Sequence, residues 1–270
     1  MDVEGIPIRK LFEKIYTRYG YDFTNYAPDS LTKRSMLFMH NLRIGSWEAF
    51  GALVLNDENT FTQFIRFISV TVTEMFRDPF FYSILREQVL QQLHNHSAIR
   101  LWVAGCATGE EAYSMAILLK EENLLDRSII YATDINQHSL MVAKEGIYPI
   151  SSLRTYTSNY LKAGGKNSFS EYYTAKYDLV SIDRSLRQNI VFAPHNLAVD
   201  HGFNEFQLIV CRNVLIYFNS ILQERVINLF YESLSPKAFL GLGSNESLTF
   251  SSKKNFFTQV PGKEKIYMKK

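Results

Sequence analysis

Up to about residue 95 the apolar positions follow helical spacing. Leu31, Ser35, Phe38, Met39 and Leu42 recur along one helical face, while Lys33, Arg34, His40, Asn41 and Arg43 fall mostly elsewhere. The run from Thr60 to Ile68 repeats the pattern with aromatics, behind an Asn56-Asp57-Glu58-Asn59 cluster able to cap it. Pro79, after Asp78, suits the first turn of another helix running through Phe80, Phe81, Ile84, Leu85 and Val89. No strand-like run interrupts this region.

At Ile99 the pattern changes. Ile99-Arg100-Leu101-Trp102-Val103-Ala104 is a short apolar run, followed by Gly105-Cys106-Ala107-Thr108-Gly109 and a helical pattern over Ala112, Met115, Ala116, Leu118 and Leu119. A second apolar run, 129–133, ends at Asp134, with a helix from about His138. A third, 207–211, leads through Arg212-Asn213 to a helix at 222–234, and strands follow at 238–242 and near 265–268. Short buried strands alternating with helices predict an α/β fold, a doubly wound and mostly parallel sheet behind an all-helical N-terminal domain. Between residues 151 and 199 the rhythm breaks into β-prone pieces at 171–174, 179–182 and 188–193, which read as a small antiparallel insertion.

Composition narrows the function. Of 270 residues 46% are hydrophobic and 21% charged, enough for a sizeable core and against disorder. Twenty-nine basic residues against 27 acidic leave a net charge of +2, so electrostatics gives no general reason to expect nucleic acid. No apolar run is long enough for a spanning helix. The opening residues lack a signal-peptide pattern, and Cys106 and Cys211 stand far apart in apolar runs, which together predict a cytoplasmic protein. His94 and His96 have no companion ligand cluster, so no metal is expected.

The chemistry concentrates on the turn after the first strand. Gly105 and Gly109, with small Ala107 between them, allow a tight turn and close ligand approach. A dinucleotide fold would prefer G-x-G-x-x-G and free amides for pyrophosphate. Here Glu110 and Glu111 follow at once; they would repel pyrophosphate but could accept from a ligand ammonium, which tilts the reading toward S-adenosylmethionine. Asp134, ending the next strand, can accept from both ribose hydroxyls. The plainer alternatives are acidic residues favouring a helix dipole and an aspartate capping the next helix.

Several motifs, in order, resemble the CheR-type chemotaxis receptor methyltransferases over almost the whole chain. They are Thr73-Glu74-Met75-Phe76-Arg77-Asp78, the run from Ala107 to Ser114, Ala132-Thr133-Asp134-Ile135, His195-Asn196-Leu197, the run from Cys211 to Phe218, and Gly243-Ser244-Asn245-Glu246-Ser247-Leu248. The resemblance implies an S-adenosylmethionine-dependent enzyme that methylates receptor glutamates and releases S-adenosylhomocysteine. Residues 1–78 would form the helical domain and linker, 79–270 the methyltransferase domain, and about 168–184 a small β-subdomain. Thr73 and Arg77 would close over the cofactor, Gly105 and Gly109 shape its turn, Glu110 or Glu111 face its methionine end, Asp134 its ribose, and Asn196 and Leu197 its adenine. Arg212, Asn213 and Tyr217 would line the transfer site, with Arg77, Arg212 and Tyr217 as the catalytic set. The implied partners are the cytoplasmic helices of methyl-accepting receptors, with a place on the β-subdomain for a receptor-tail peptide. Two positions depart from the family: Thr71 stands where asparagine is usual, and Met75 replaces an aromatic.

A sulfonium methyl is already activated, and a glutamate acceptor is ionised near neutral pH, so transfer needs alignment more than a base. Two other classes of function remain open on the residues alone. A non-catalytic adenosyl-ligand sensor would bind without turnover, and a nucleotide-dependent oxidoreductase would bind NAD tightly.

Overall fold

The computed structural model describes residues 6–69 and 71–270; residues 1–5 and Val70, which fall within the predicted helical domain and linker, lie outside the described residues. Helices α1 (Ile6–Tyr19), α2 (Pro28–Asn41), α3 (Trp47–Asn56) and α4 (Glu58–Ile68) come first. Proline opens α2, and its Leu31, Ser35, Phe38 and Met39 are buried, the face predicted from spacing; Leu42 lies just past the helix and is exposed. The capping cluster before α4 resolves to Asp57, whose carboxylate accepts the amides of Asn59 and Thr60. Ile15, Phe50 and Phe64 close the core of this region, and the Tyr19 and Phe61 rings stack with centroids 3.7 Å apart.

The linker enters α5 (Pro79–Ile84), which continues as a π-helical turn over Leu85–Leu90 and as α6 (Gln91–Leu93). Then follow β1 (Ile99–Ala104), α7 (Glu110–Glu121), β2 (Ser128–Asp134), α8 (Gln137–Glu145), β3 (Ile147–Pro149), α9 (Leu153–Lys162), β4 (Tyr173–Lys176), β5 (Leu179–Ile182), α10 (Arg184–Arg187), β6 (Ile190–Pro194), β7 (Phe206–Cys211), α11 (Ser220–Ser233), β8 (Leu234–Leu242), β9 (Phe257–Gln259) and β10 (Ile266–Lys269). The large sheet runs β6-β2-β1-β7-β8-β10-β9, parallel from β6 to β8, with β10 antiparallel to both of its neighbours. This is the predicted doubly wound, mostly parallel sheet. Its central strands are covered on both faces, which is why β1 and β7 read as near-continuous apolar runs.

A separate antiparallel sheet, β3-β5-β4, is the predicted insertion, and Ile147–Pro149 belongs to it although the sequence pattern gave no sign of that. One expectation is corrected. The piece predicted at 188–193 is not part of the insertion: β6 pairs in parallel with β2 and forms an edge of the large sheet. Only one of its faces is well covered, so its partial alternation mimics an antiparallel strand. The insertion is fastened by the buried Glu121 carboxylate, which accepts from the Tyr160 and Tyr172 hydroxyls and pairs with Arg86 of the π-helical turn at 2.6 Å.

Strand order reverses between β1 and β7, and ligands of such sheets bind outside the carboxyl ends of the strands at that point. The helical region closes over the same edge. The Ala27 amide donates to the Tyr217 carbonyl at 2.7 Å, and the Asn219 amide to the Asn25 carbonyl at 2.9 Å.

Candidate active site

The turn after β1 is set by backbone geometry. Gly105 and Cys106 both donate to the Thr133 carbonyl, at 2.8 and 2.9 Å, and the chain then passes through a left-handed Ala107 at φ +47°. Gly105 adopts φ +78°, with Val214 packed where a Cβ would lie. Gly109 precedes α7 at φ +96°, and a Cβ there would come within 2.8 Å of the Ala143 methyl group. The two glycines therefore serve close packing against the protein itself. Gly105 also lines the cavity beyond the strand ends; Gly109 does not.

The adjacent glutamates diverge because successive helical residues point about 100° apart. Glu110 turns inward, away from the cavity, accepting from Thr108 Oγ1 at 2.7 Å and from the Tyr156 hydroxyl at 3.2 Å. Burial pushes its carboxyl up to about 7. Glu111 reaches the cavity. Its Oε1 accepts from Arg212 Nη1 at 2.7 Å and from the Tyr82 hydroxyl at 3.3 Å, and among the described residues nothing donates to its Oε2.

Asp134 ends β2 at the cavity wall. Its Oδ2 accepts the Ala107 amide at 2.9 Å and its Oδ1 the Asn136 amide at 2.8 Å. Burial raises its carboxyl from the ordinary value and these amides oppose that, leaving lone pairs for a ligand. Asn196 forms a turn of its own after β6, its Oδ1 accepting the Ala198 amide at 3.0 Å, and it lines the cavity beside Leu197. Thr73, Arg77, Arg212, Asn213 and Tyr217 line it too. The sequence-predicted residues thus converge on one cavity, except Gly109 and Glu110. Thr71 is not on its wall, and Met75 is fully buried in the core beneath the linker.

Arg212 is already engaged. Besides Glu111 it donates to Asp78 Oδ2 at 2.7 Å and to the Arg77 carbonyl at 2.8 Å, and its guanidinium lies 4.3 Å from the Phe81 ring centroid. The neighbouring carboxylates hold it charged. It straps a linker turn in which both Phe76 and Asp78 are left-handed. The Phe76 amide donates to Ser114 Oγ and Asn159 donates to the Met75 carbonyl, so this turn is fixed from several sides. Among the described residues the Arg77 side chain makes one long contact, 3.4 Å, to the Val72 carbonyl.

Glu246, in the run from Gly243 to Leu248, has a role that its motif alone does not predict. Its carboxylate is buried and accepts four amides: Gly243 at 2.6 Å, Leu215 at 2.7 Å, Val214 at 2.8 Å and Asn213 at 3.1 Å. That holds Asn213 in the left-handed region, at φ +59°. An acid three residues after a glycine at a strand end was the available signal. Also missed were Phe23, Tyr26, Leu31 and Ile68, which bring the helical region to the cavity.

The cavity, about 1180 Å³ with its open mouth, offers carboxylates at Glu111 and Asp134, an amide at Asn196 and apolar walls. An ammonium, a ribose and a flat base find complementary groups there, which defines an α/β adenosyl-ligand-binding protein. The pattern described as "CheR methyltransferase, SAM binding domain" matches residues 71–266, and "CheR methyltransferase, all-alpha domain" matches residues 7–69. The chain belongs to the CheR methyltransferase family: it is an S-adenosylmethionine-dependent methyltransferase whose spent cofactor is S-adenosylhomocysteine.

Among relatives, it is 48% identical over 98% of its length, and 97% of the other chain, to Cher3 of Pseudomonas putida, whose designation as a methyltransferase is provisional. It is 27% identical over 89% of its length to a chemotaxis protein methyltransferase of Salmonella typhimurium, covering 83% of that chain. One from Listeria innocua is 29% identical, with 85% of each chain covered. Among the described residues no helix is long and apolar enough to cross a membrane, and no group of three or more acidic, His or Cys side chains gathers as metal ligands would.

Proposed function

We propose that the chain methylates glutamate side-chain carboxylates on the cytoplasmic helices of chemotaxis receptors, working in the cytoplasm as a protein-glutamate O-methyltransferase. The observation that carries this reading is the convergence of Glu111, Asp134, Asn213, Tyr217 and a lightly bonded Arg77 on one cavity at the strand ends. In support, the relatives in Salmonella and Listeria are named as chemotaxis protein methyltransferases. Residues 1–78 serve as helical domain and linker, 79–270 as the transferase domain, and the small β-subdomain near 168–184 as the place for a receptor tail.

S-adenosylmethionine supplies a methyl group activated on a cationic sulfonium. Glu111 would accept from the cofactor's ammonium and Asp134 from its ribose, with Asn196 and Leu197 bordering the adenine and Thr73 covering it from the linker. Arg77 orients the incoming carboxylate, and Asn213 and Tyr217 shape the channel between acceptor and donor. Bound there, the cofactor would give its methyl group to the acceptor's carboxylate oxygen, a C–O bond replacing the C–S bond and leaving the methyl ester and S-adenosylhomocysteine. The acceptor is already ionised near pH 7, so no side chain needs to remove a proton. Arg212 acts through position: committed to Glu111, Asp78 and the Arg77 carbonyl, it holds the linker turn that presents Arg77.

The test is transfer from methyl-labelled S-adenosylmethionine to receptor-containing membranes, followed by mild base. Label on a receptor band, released as volatile methanol, is the expected result. Base-stable label, or no transfer despite confirmed S-adenosylhomocysteine binding, would sink the glutamate reading.

A further inference from the structure

Tyr26 lies between α1 and α2, and its ring packs edge-on against Phe23, at 5.0 Å, and against Phe218, at 4.9 Å. Its backbone bridges to Phe218 in antiparallel fashion, next to the Ala27–Tyr217 hydrogen bond. The ring thus joins the apolar core of the helical region to that of the sheet. It also lines the cavity, and its phenol lies within electrostatic reach of Asp134. Burial and that carboxylate keep the phenol protonated, and among the described residues none hydrogen-bonds it. Ser69, another polar cavity residue from this side, already donates to the Ile65 carbonyl at 2.7 Å. Tyr26 thus brings to the wall of the cavity a phenol on an immobilised ring, able to donate and without a protein partner among the described residues.

We propose that the Tyr26 hydroxyl is a cofactor contact supplied by the helical region, donating to a ribose hydroxyl oxygen of the adenosyl group. The inference rests on the proposed ribose role of Asp134. A ribose hydroxyl both donates and accepts, so it can donate a hydrogen bond to Asp134 while its oxygen accepts one from Tyr26. The helical region then completes the cofactor site as well as covering it.

Calorimetric titration of S-adenosylhomocysteine into the wild type and into Tyr26→Phe tests this, since the substitution keeps the ring and removes only the hydroxyl. The expected result is about five- to fifteenfold weaker binding, an unchanged thermal midpoint, and a loss that vanishes for whichever of the 2′-deoxy and 3′-deoxy analogues lacks the contacted hydroxyl. Equal affinity of Tyr26→Phe and wild type for S-adenosylhomocysteine would overturn the proposal. An identical loss against all three ligands would overturn the ribose contact. Should the variant fail to fold, a wild type that binds both deoxy analogues as tightly as the parent ligand decides against it. An Asp134→Asn titration run alongside keeps the two claims apart: unchanged binding there removes the ribose reading itself, whatever Tyr26 does.

Discussion

The two walls of the cavity are built on different principles. The sheet-side wall is polar and over-determined: Asp134 holds two amides, Glu246 holds four, and Arg212 spans two carboxylates and a carbonyl. Two left-handed residues without glycine's freedom, Ala107 and Asn213, line it, and two more, Phe76 and Asp78, sit in the linker turn that Arg212 straps. The helical wall is mostly apolar, with Phe23, Leu31 and Ile68 on regular helices or a short loop, and it meets the strand ends through a few backbone bonds and the Tyr26 ring. The lesson is a contrast in construction. One wall is polar and held by many bonds, and the other is mostly apolar and joined to it by few.

Substitutions on the sheet side should therefore cost far more than on the helical side. The largest effect is expected for Gly109→Val, which adds strain at a positive φ to a clash with Ala143, together about 2–5 kcal/mol of stability; a wild-type urea midpoint would refute the packing role. Glu246→Ala should follow, at about 3 kcal/mol, because buried amides lose their acceptor. Its transfer rate should fall further than its cofactor affinity, since the loop it frees carries Asn213 and Tyr217.

A pH effect comes next. The Glu110 carboxyl titrates near about 7 in the folded chain against an ordinary 4.5. The unfolded chain therefore ionises first, and this group's contribution to stability is lost as pH rises from the ordinary value through the raised one. Glu110→Gln has no such loss, so its stability relative to wild type should improve between about pH 5 and pH 8. Parallel stability curves over that range would contradict the buried assignment. The smallest effect belongs to the helical wall: Leu31→Met keeps apolar volume and should cost under about 1.5 kcal/mol, with S-adenosylhomocysteine affinity unchanged. A large affinity loss there would blur the distinction between the walls.

How much of this was legible beforehand follows from the same contrast. The α2 face, β1 and its glycine turn, and Asp134 at the end of β2 could be read because local spacing alone places them. The parallel edge strand β6 could not, since exposure of one face gives it the look of a hairpin strand. Nor could which of Glu110 and Glu111 faces the cavity, since their partners Tyr156 and Arg212 lie 46 and 101 residues away. Arg212 offered a free cation in sequence, while its partners Asp78 and Glu111 are joined to it only by the fold. Glu246 reaches Asn213, Val214 and Leu215, and Tyr26 reaches Phe218, through contacts between segments far apart in sequence.

The most direct measurement of the central claim, that the sheet-side wall creates the cofactor site, is calorimetric titration of S-adenosylhomocysteine into wild type and Asp134→Asn. With circular dichroism unchanged, the variant should bind more weakly by about 1–3 kcal/mol, the value of a charge-assisted hydrogen bond. Equal affinity in a folded variant would contradict the account.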